Sequence, residues 1–159
     1  MTWAIRPIPA DEAACILPLL QQVQAIHVEA HPDHYRANPD PDEVLAFLRD
    51  WLASDDTEAL GAFASDGSAL GYLIFEIETR KPWVLKHGQR WGMLHQIAVD
   101  QAWRRAGIGA ALIDEMKARL RARSVSRIRT VYAAFNAPSA ALMRKAGIEP
   151  LNIIAEGSA

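Results

Sequence analysis

The stretch that most constrains this 159-residue chain runs from Leu94 to Leu120, where a strand pattern ends in a glycine-bearing turn and a helix starts at once. Trp91 to Val99 reads as the strand, and Asp100-Gln101-Ala102-Trp103-Arg104-Arg105-Ala106-Gly107-Ile108-Gly109 supplies the turn. Ile108, Leu112, Met116 and Leu120 then recur at steps of four, the buried stripe of a helix running to about Arg123. A turn of this kind is an anion site, because the first N–H groups of a helix are unpaired and the positive end of its dipole faces outward. Gly107 and Gly109 let the chain turn tightly and let a pyrophosphate come close to the backbone. Arg104 and Arg105 place guanidinium charge at the mouth.

Two familiar phosphate sites fail on residue identity. A nucleotide P-loop needs Gly-Lys-Ser or Gly-Lys-Thr, and neither occurs. A dinucleotide fingerprint needs a third glycine where Gly107-Ile108-Gly109-Ala110-Ala111 leads to Leu112.

Upstream, Trp3 to Ile8 reads as a strand closed by Pro7 and Pro9. Ala10 to His27 is apolar at helical spacing, with Pro18 as an interruption, and a polar connector follows from Glu29 to Pro39. Asp40-Pro41-Asp42-Glu43 is the clearest helix start: a cap, a first-turn proline and a capping-box carboxylate. Val44, Phe47, Leu48, Trp51 and Leu52 form its apolar face. Strands Ala59 to Ala64 and Leu70 to Thr79 flank Ser65-Asp66-Gly67-Ser68, which makes an antiparallel hairpin. A basic connector, Arg80 to Gln89, leads to the strand before the turn. Beyond the long helix come a strand (Arg127 to Ala134), a helix (Ala137 to Lys145) and a last strand (Ile148 to Ala155). No repeat or linker divides the chain, so residues 1–159 are expected to form one α/β (α+β) domain.

Composition narrows the partners. The formal charge of −2 argues against a nucleic-acid or membrane-surface binder, and no apolar run nears the ~20 residues of a membrane span. The opening Met-Thr-Trp-Ala-Ile-Arg has no charged-then-apolar layout of a secretory signal. With a single cysteine, Cys15, expected as a small buried apolar residue, a cytoplasmic location is expected.

Arg104-Arg105-Ala106-Gly107-Ile108-Gly109 resembles the signature Q/R-x-x-G-x-G/A of the GNAT acetyltransferase superfamily. The run Asn136-Ala137-Pro138-Ser139-Ala140-Ala141-Leu142-Met143-Arg144-Lys145-Ala146-Gly147-Ile148 resembles its second signature, N-x-x-A-x-x-L-Y-x-K-x-G-F. The resemblance implies a mixed, centrally splayed sheet of six or seven strands with about four helices. It implies acetyl-CoA as co-substrate, its pyrophosphate on Arg104 to Gly109 and its pantetheine along Ile97-Ala98-Val99, with Asn136, Ser139, Met143 and Lys145 also at the cofactor. Met143 stands where many members carry a tyrosine that protonates the departing thiolate, and a thioether has no proton to give. The implied activity is direct acetyl transfer to a primary amine, borne by a small molecule or a peptide. A non-catalytic CoA-binding regulatory or scaffold domain, a protein-lysine acetyltransferase and an enzyme for longer acyl-CoA substrates are the rivals. Family habit implies a homodimer.

Leu94-His95-Gln96-Ile97-Ala98-Val99 is similar to a stretch of the arylalkylamine branch whose histidine is implicated as base, which makes His95 the catalytic candidate. A histidine, with an ordinary pKa near ~6.5, suits that role. The carboxylate base of other branches would fall at or near Met93, so a carboxylate is not expected here. The oxyanion is expected at the amide of Ile97 or Val99. His31, Tyr35 and Trp83 are the substrate-side candidates, and Glu29, Asp33, Asp40, Asp42 and Glu43 an acidic wall that attracts a cationic amine. His27, His31 and His34 suggest a metal by spacing, but Pro32 breaks any helix between the last two and no fourth ligand is near, so no metal is expected. The arginines from Arg119 to Arg129 read as a solvated helix end, without the interleaved aromatics of a nucleic-acid site.

Overall fold

The computed structural model describes residues 2–158. Its order is β1 (Trp3–Pro7), a 3₁₀ segment (Ala10–Ile16), α1 (Leu17–Ala30), α2 (Pro41–Leu52), β2 (Thr57–Ala64), β3 (Ala69–Arg80), β4 (Gln89–Val99), α3 (Ile108–Ala122), β5 (Ile128–Thr130) and α4 (Ala137–Lys145). The five strands lie side by side in chain order. Each neighbouring pair is antiparallel except β4 and β5, which run parallel, as the intervening α3 crossover requires. One face of the sheet packs on α3 and α4 through Leu60, Leu73, Phe75, Leu94, Leu112, Ile113 and Met116. The other packs on α1 and α2 through Tyr72, Ile74, Ala98, Ile16, Leu19 and Leu48. The mixed fold is therefore the expected one, with five strands among the described residues instead of six or seven.

Three local expectations differ. Pro18 does not interrupt a helix; it sits in the first turn of α1, where its missing N–H costs no bond, and the preceding residues tighten into the 3₁₀ segment. The strand expected over Arg127 to Ala134 keeps only three residues. Ile148 to Ala155 forms no strand: Pro150 lacks a donor, the short β5 offers little edge, and Leu151, Ile153 and Ile154 stand exposed. A cleft of about 460 Å³ lies there, between α3, β5 and the end of α4, lined by Leu120, Val125, Ile128 and Ile148. No helix among the described residues is long and apolar enough to cross a membrane.

Two backbone features shape the centre of the sheet. First, β5 pairs with β4 only over Gly92, Met93 and Leu94. The Gly92 N–H donates to the Arg127 carbonyl (2.9 Å), and the Thr130 hydroxyl donates to the Leu94 carbonyl (3.0 Å) where the ladder ends. Beyond that point β4 continues to Val99 on β3 without β5, which opens the expected splay. Second, β4 bulges at His95: Phe75 faces Leu94 and Ile74 faces Gln96, with His95 left over. Leu94, Ile97 and Val99 consequently share the α3 face, while Ala98 packs on the opposite one. Side-chain face and N–H direction go together along a strand. Gly92 and Leu94 aim their backbone groups at β5, so Ile97 and Val99, on the same face, aim theirs into the gap.

Candidate active site

The turn after β4 is built from the start of α1 onward. Asp100 accepts from the Ala102 amide (2.8 Å) and from Gln22 of α1 (2.9 Å), and Gln22 in turn accepts from the Gln101 amide (3.1 Å). The Gln22 amide and the Ala102 N–H hold the Asp100 carboxyl below the usual carboxylate range. The chain then alternates in handedness: Arg104 has φ −61°, Arg105 +67° and Gly107 +84°. Such alternation turns successive N–H groups to one side, as in anion-holding nests. The first intrahelical bond of α3 runs from the Ala111 N–H to the Gly107 carbonyl (3.0 Å), and no side chain caps this end. The N–H groups of Ile108, Gly109 and Ala110 thus remain for a ligand.

The glycines differ in purpose. A Cβ built at Gly107 meets nothing within 4 Å, so its requirement is the left-handed φ and the open space in front of the loop. A Cβ at Gly109 would come within 3.1 Å of Leu142 of α4. Gly109 is therefore a close-approach residue, seating α3 against α4. These features fit a pyrophosphate: free N–H groups, a positive helix end, exposed Arg104 and Arg105, and open space at the Gly107 Cα.

Of the residues expected at the cofactor on α4, two have structural positions. The Asn136 side chain caps the helix by accepting from the Ser139 N–H (3.1 Å). Met143 is 1% exposed and packs in the α3-side core, so the position occupied by a tyrosine in the resembled signature is filled here by a core residue. Lys145 is exposed at the end of the helix. On the wall opposite Ile97 and Val99, two residues past β5, stands the half-buried Tyr132.

His95 lies on the α2 side, where the bulge puts it among the even-numbered residues of β3. Its Nε2 is 2.7 Å from Glu76 Oε2 and 3.7 Å from Glu78 Oε1. The other oxygen of Glu76 accepts from Trp51 Nε1 (2.8 Å) and from the Thr57 hydroxyl (2.9 Å). Burial pulls the Glu76 carboxyl upward, but those two donors and His95 outweigh it and hold it below the usual range. A carboxylate only accepts, so the short contact puts the hydrogen on Nε2 and leaves the lone pair on Nδ1. The indole of Trp51 meets the imidazole edge-on at 5.3 Å, and Phe47, exposed one turn away, meets Trp51 at 5.5 Å. His95, Glu76 and Glu78 each keep roughly a third or somewhat less of their side chain open to solvent.

Sequence reasoning looked for a carboxylate on β4 near Met93 and found none; the structure supplies two from β3. The available signal was alternation. Tyr72, Ile74, Glu76 and Glu78 share one face of β3, and only the register of the hairpin, set by its eight-residue connector, decides what they meet.

Among the described residues, the ring and bridge contacts of His31, Tyr35 and Trp83 are with groups other than His95. Trp83 sits at the hairpin tip, bridged to Lys86, with Val84 and Leu85 exposed beside it. Gln89, where β4 starts, is six residues from His95, about 20 Å at ~3.3 Å per residue, and Trp83 lies beyond. His31 and Tyr35 are exposed and cluster elsewhere: His27 with Tyr35 at 4.9 Å, His31 with Phe135 at 5.4 Å, and His31 with His34 at 5.6 Å. Of the arginine series, Arg119 and Arg123 grip Glu58 of β2 at 3.1 and 3.0 Å and tie α3 to the sheet. Cys15 is half-buried against the α1–α2 core, and burial pushes its thiol up.

No curated protein matches the sequence. The fold matches several solved structures along nearly its whole length. The tetramutant of the BH1408 protein from Bacillus halodurans has a TM-score of 0.88 at 17% identity, over 98% of this chain and 99% of that one. The aminoglycoside 6'-N-acetyltransferase AAC(6')-Ih from Acinetobacter baumannii has 0.76 at 18%, over 99% and 98%. The ribosomal-protein-alanine N-acetyltransferase from Brucella melitensis biovar Abortus 2308 has 0.70 at 23%, over 99% of both. Identities this low establish the fold alone. The family model described as Acetyltransferase (GNAT) family matches residues 20–148, which takes in the splayed strand, the glycine turn and α4, and the chain belongs to that family.

Proposed function

We propose that this protein transfers the acetyl group of acetyl-CoA to a primary amine, with His95 as general base and Glu76 as the residue that orients it. The observation that carries the reading is the contact of His95 with Glu76, at 2.7 Å, His95 standing on the strand that also lines the splay and leads into the anion-type loop. Bound acetyl-CoA supplies an acetyl thioester. The backbone N–H groups of Ile108 to Ala110, with Arg104 and Arg105, hold the pyrophosphate end. Ile97 and Val99 offer strand amides to the pantetheine and to the oxygen charge that develops at the acetyl carbon.

His95 Nδ1 takes a proton from the incoming ammonium or from the nitrogen as it bonds to the acetyl carbon and the carbon–sulfur bond breaks. The Nε2–H···Glu76 bond stabilises the resulting imidazolium, as a carboxylate does beside a charged ring. The thiolate leaves with the sulfur electron pair and is protonated by water or by Tyr132 across the gap. Glu78, beside His95, draws a cationic amine to this point, in place of the acidic wall expected on α1 and α2. The solved structures of similar fold include N-acetyltransferases for aminoglycosides and for ribosomal-protein alanine, which supports an amine acceptor as a class.

The test is acetyl-CoA turnover with His95→Ala and Glu76→Gln beside the wild type. Loss of kcat with acetyl-CoA affinity intact supports the assignment; wild-type kcat in His95→Ala refutes it.

A further inference from the structure

The three groups around His95 have a second chemistry. One oxygen of Glu76, one of Glu78 and a ring nitrogen of His95 all lie within 4.8 Å of one another. The two separations from His95 Nε2, 2.7 and 3.7 Å, bracket the spacing of about 3.3 Å between ligand atoms that a tetrahedral ion with ~2.0 Å bonds requires. We propose that Glu76, Glu78 and His95 form a binding site for a divalent transition-metal ion of the Zn²⁺ class, and that such an ion closes the acceptor site.

Several features support a site and not merely a cluster of acids. The donor set is mixed, one imidazole and two carboxylates, which is zinc-type chemistry. Glu76 is held in place before any ion arrives, because Trp51 and Thr57 both donate to Oε1 and leave Oε2 facing His95. Such outer hydrogen bonds orient ligand groups and raise affinity. Charge also balances: two carboxylates and a neutral imidazole against a dication. All three side chains are partly open to solvent, which gives the ion a path and leaves a fourth position for water. Calcium and magnesium are poor fits, since both take oxygen ligands and one of the three donors here is an imidazole nitrogen.

The closing effect rests on the proposed function; the binding does not. An ion bound at Nε2 displaces the ring hydrogen to Nδ1, so the base has no lone pair for the amine, and the ion also neutralises the carboxylate charge that would attract it. Acetyl-CoA is held by other residues and should bind as before.

Calorimetry with zinc chloride tests the site on the full chain. One ion per chain is expected, with affinity at least ten-fold weaker in His95→Ala and in Glu78→Gln. The double variant His31→Ala/His34→Ala should bind as the wild type does. Thermal melts of each variant establish folding, and Glu78, at a partly exposed strand position, is the safer substitution. No heat of binding, or affinity that survives His95→Ala and Glu78→Gln and falls in the His31/His34 variant, overturns the site. Where an amine is turned over, zinc should raise its apparent KM and leave acetyl-CoA affinity unchanged; zinc bound at His95 with an unaltered KM overturns the closing effect. Calorimetry decides the metal site even if no amine is turned over, so the two readings fail separately.

Discussion

Substituting Gly107 separates two jobs that one residue holds. Its φ of +84° is left-handed, and a side chain there costs an L-residue about 1–2 kcal/mol. No steric penalty adds to this, because the new Cβ meets no protein atom within 4 Å. For a domain of this length, each kcal/mol moves Tm by roughly 2–4 °C, so Gly107→Ala should lower Tm by about 2–8 °C. Gly109→Ala is the control. Alanine gains up to about 1 kcal/mol of helix propensity there, set against a 3.1 Å contact with Leu142, and the net change should be small. Ligand affinity reads the second job. Gly107→Val fills the open space in front of the loop, and acetyl-CoA should bind roughly ten-fold or more weakly, about 1.4 kcal/mol. Differential scanning calorimetry and titration calorimetry on the same samples measure both. An unchanged Tm in Gly107→Ala would show that the left-handed turn is not needed. Unchanged acetyl-CoA affinity in Gly107→Val would remove the pyrophosphate from this loop.

His95→Ala should lower turnover more at neutral pH than at high pH, where free amine is plentiful; a small, equal loss at both would leave His95 a packing residue. The Glu76 carboxyl is depressed in the folded state, so its stabilisation is present above the ordinary glutamate range, ~4.3, and is lost as pH falls through the folded value. The stability gap between wild type and Glu76→Gln should therefore shrink as urea melts are taken from pH 7 toward pH 3, and a constant gap would contradict the assigned donors. Asn136→Ala removes the α4 cap and should cost about 1 kcal/mol in urea melts with little change in acetyl-CoA affinity; the reverse result would make Asn136 a ligand residue. Leu112→Ala, fully buried between α3 and the sheet, should cost about 2–5 kcal/mol in the same melts, and a loss under 1 kcal/mol would question that packing.

Most of the architecture was legible because it rests on local patterns. The Asp40 cap formed, with its side chain accepting from Asp42 N though not in a box with Glu43, since capping depends on residues within one turn. The Ser65–Ser68 turn formed its hairpin for the same reason. What differed from the sequence reading depended on distant partners. The last strand needed an edge that β5, with three paired residues, did not provide. Met143 was read from its place in a signature, whereas its side chain is claimed by the α3-side core. Trp83 was read from its place on the connector, which the structure makes the tip of a hairpin, beyond the start of β4. His95 was singled out by the resemblance of its strand to a branch of the family, and Glu76 and Glu78 were not, because a bulge sets which residues of β3 and β4 meet. A bulge of one residue leaves no mark in composition or periodicity strong enough to fix register.

Acetyl-CoA-dependent thiol release reads the proposed acetyl transfer at its source. The purified chain would be assayed against arylalkylamines, polyamines, amino acids, aminoglycosides and lysine peptides, with His95→Ala alongside. The account predicts release with at least one class of primary amine, strongly reduced in His95→Ala, with acetyl-CoA affinity equal in both proteins. Tight acetyl-CoA binding with no thiol released by any of these amines would contradict it.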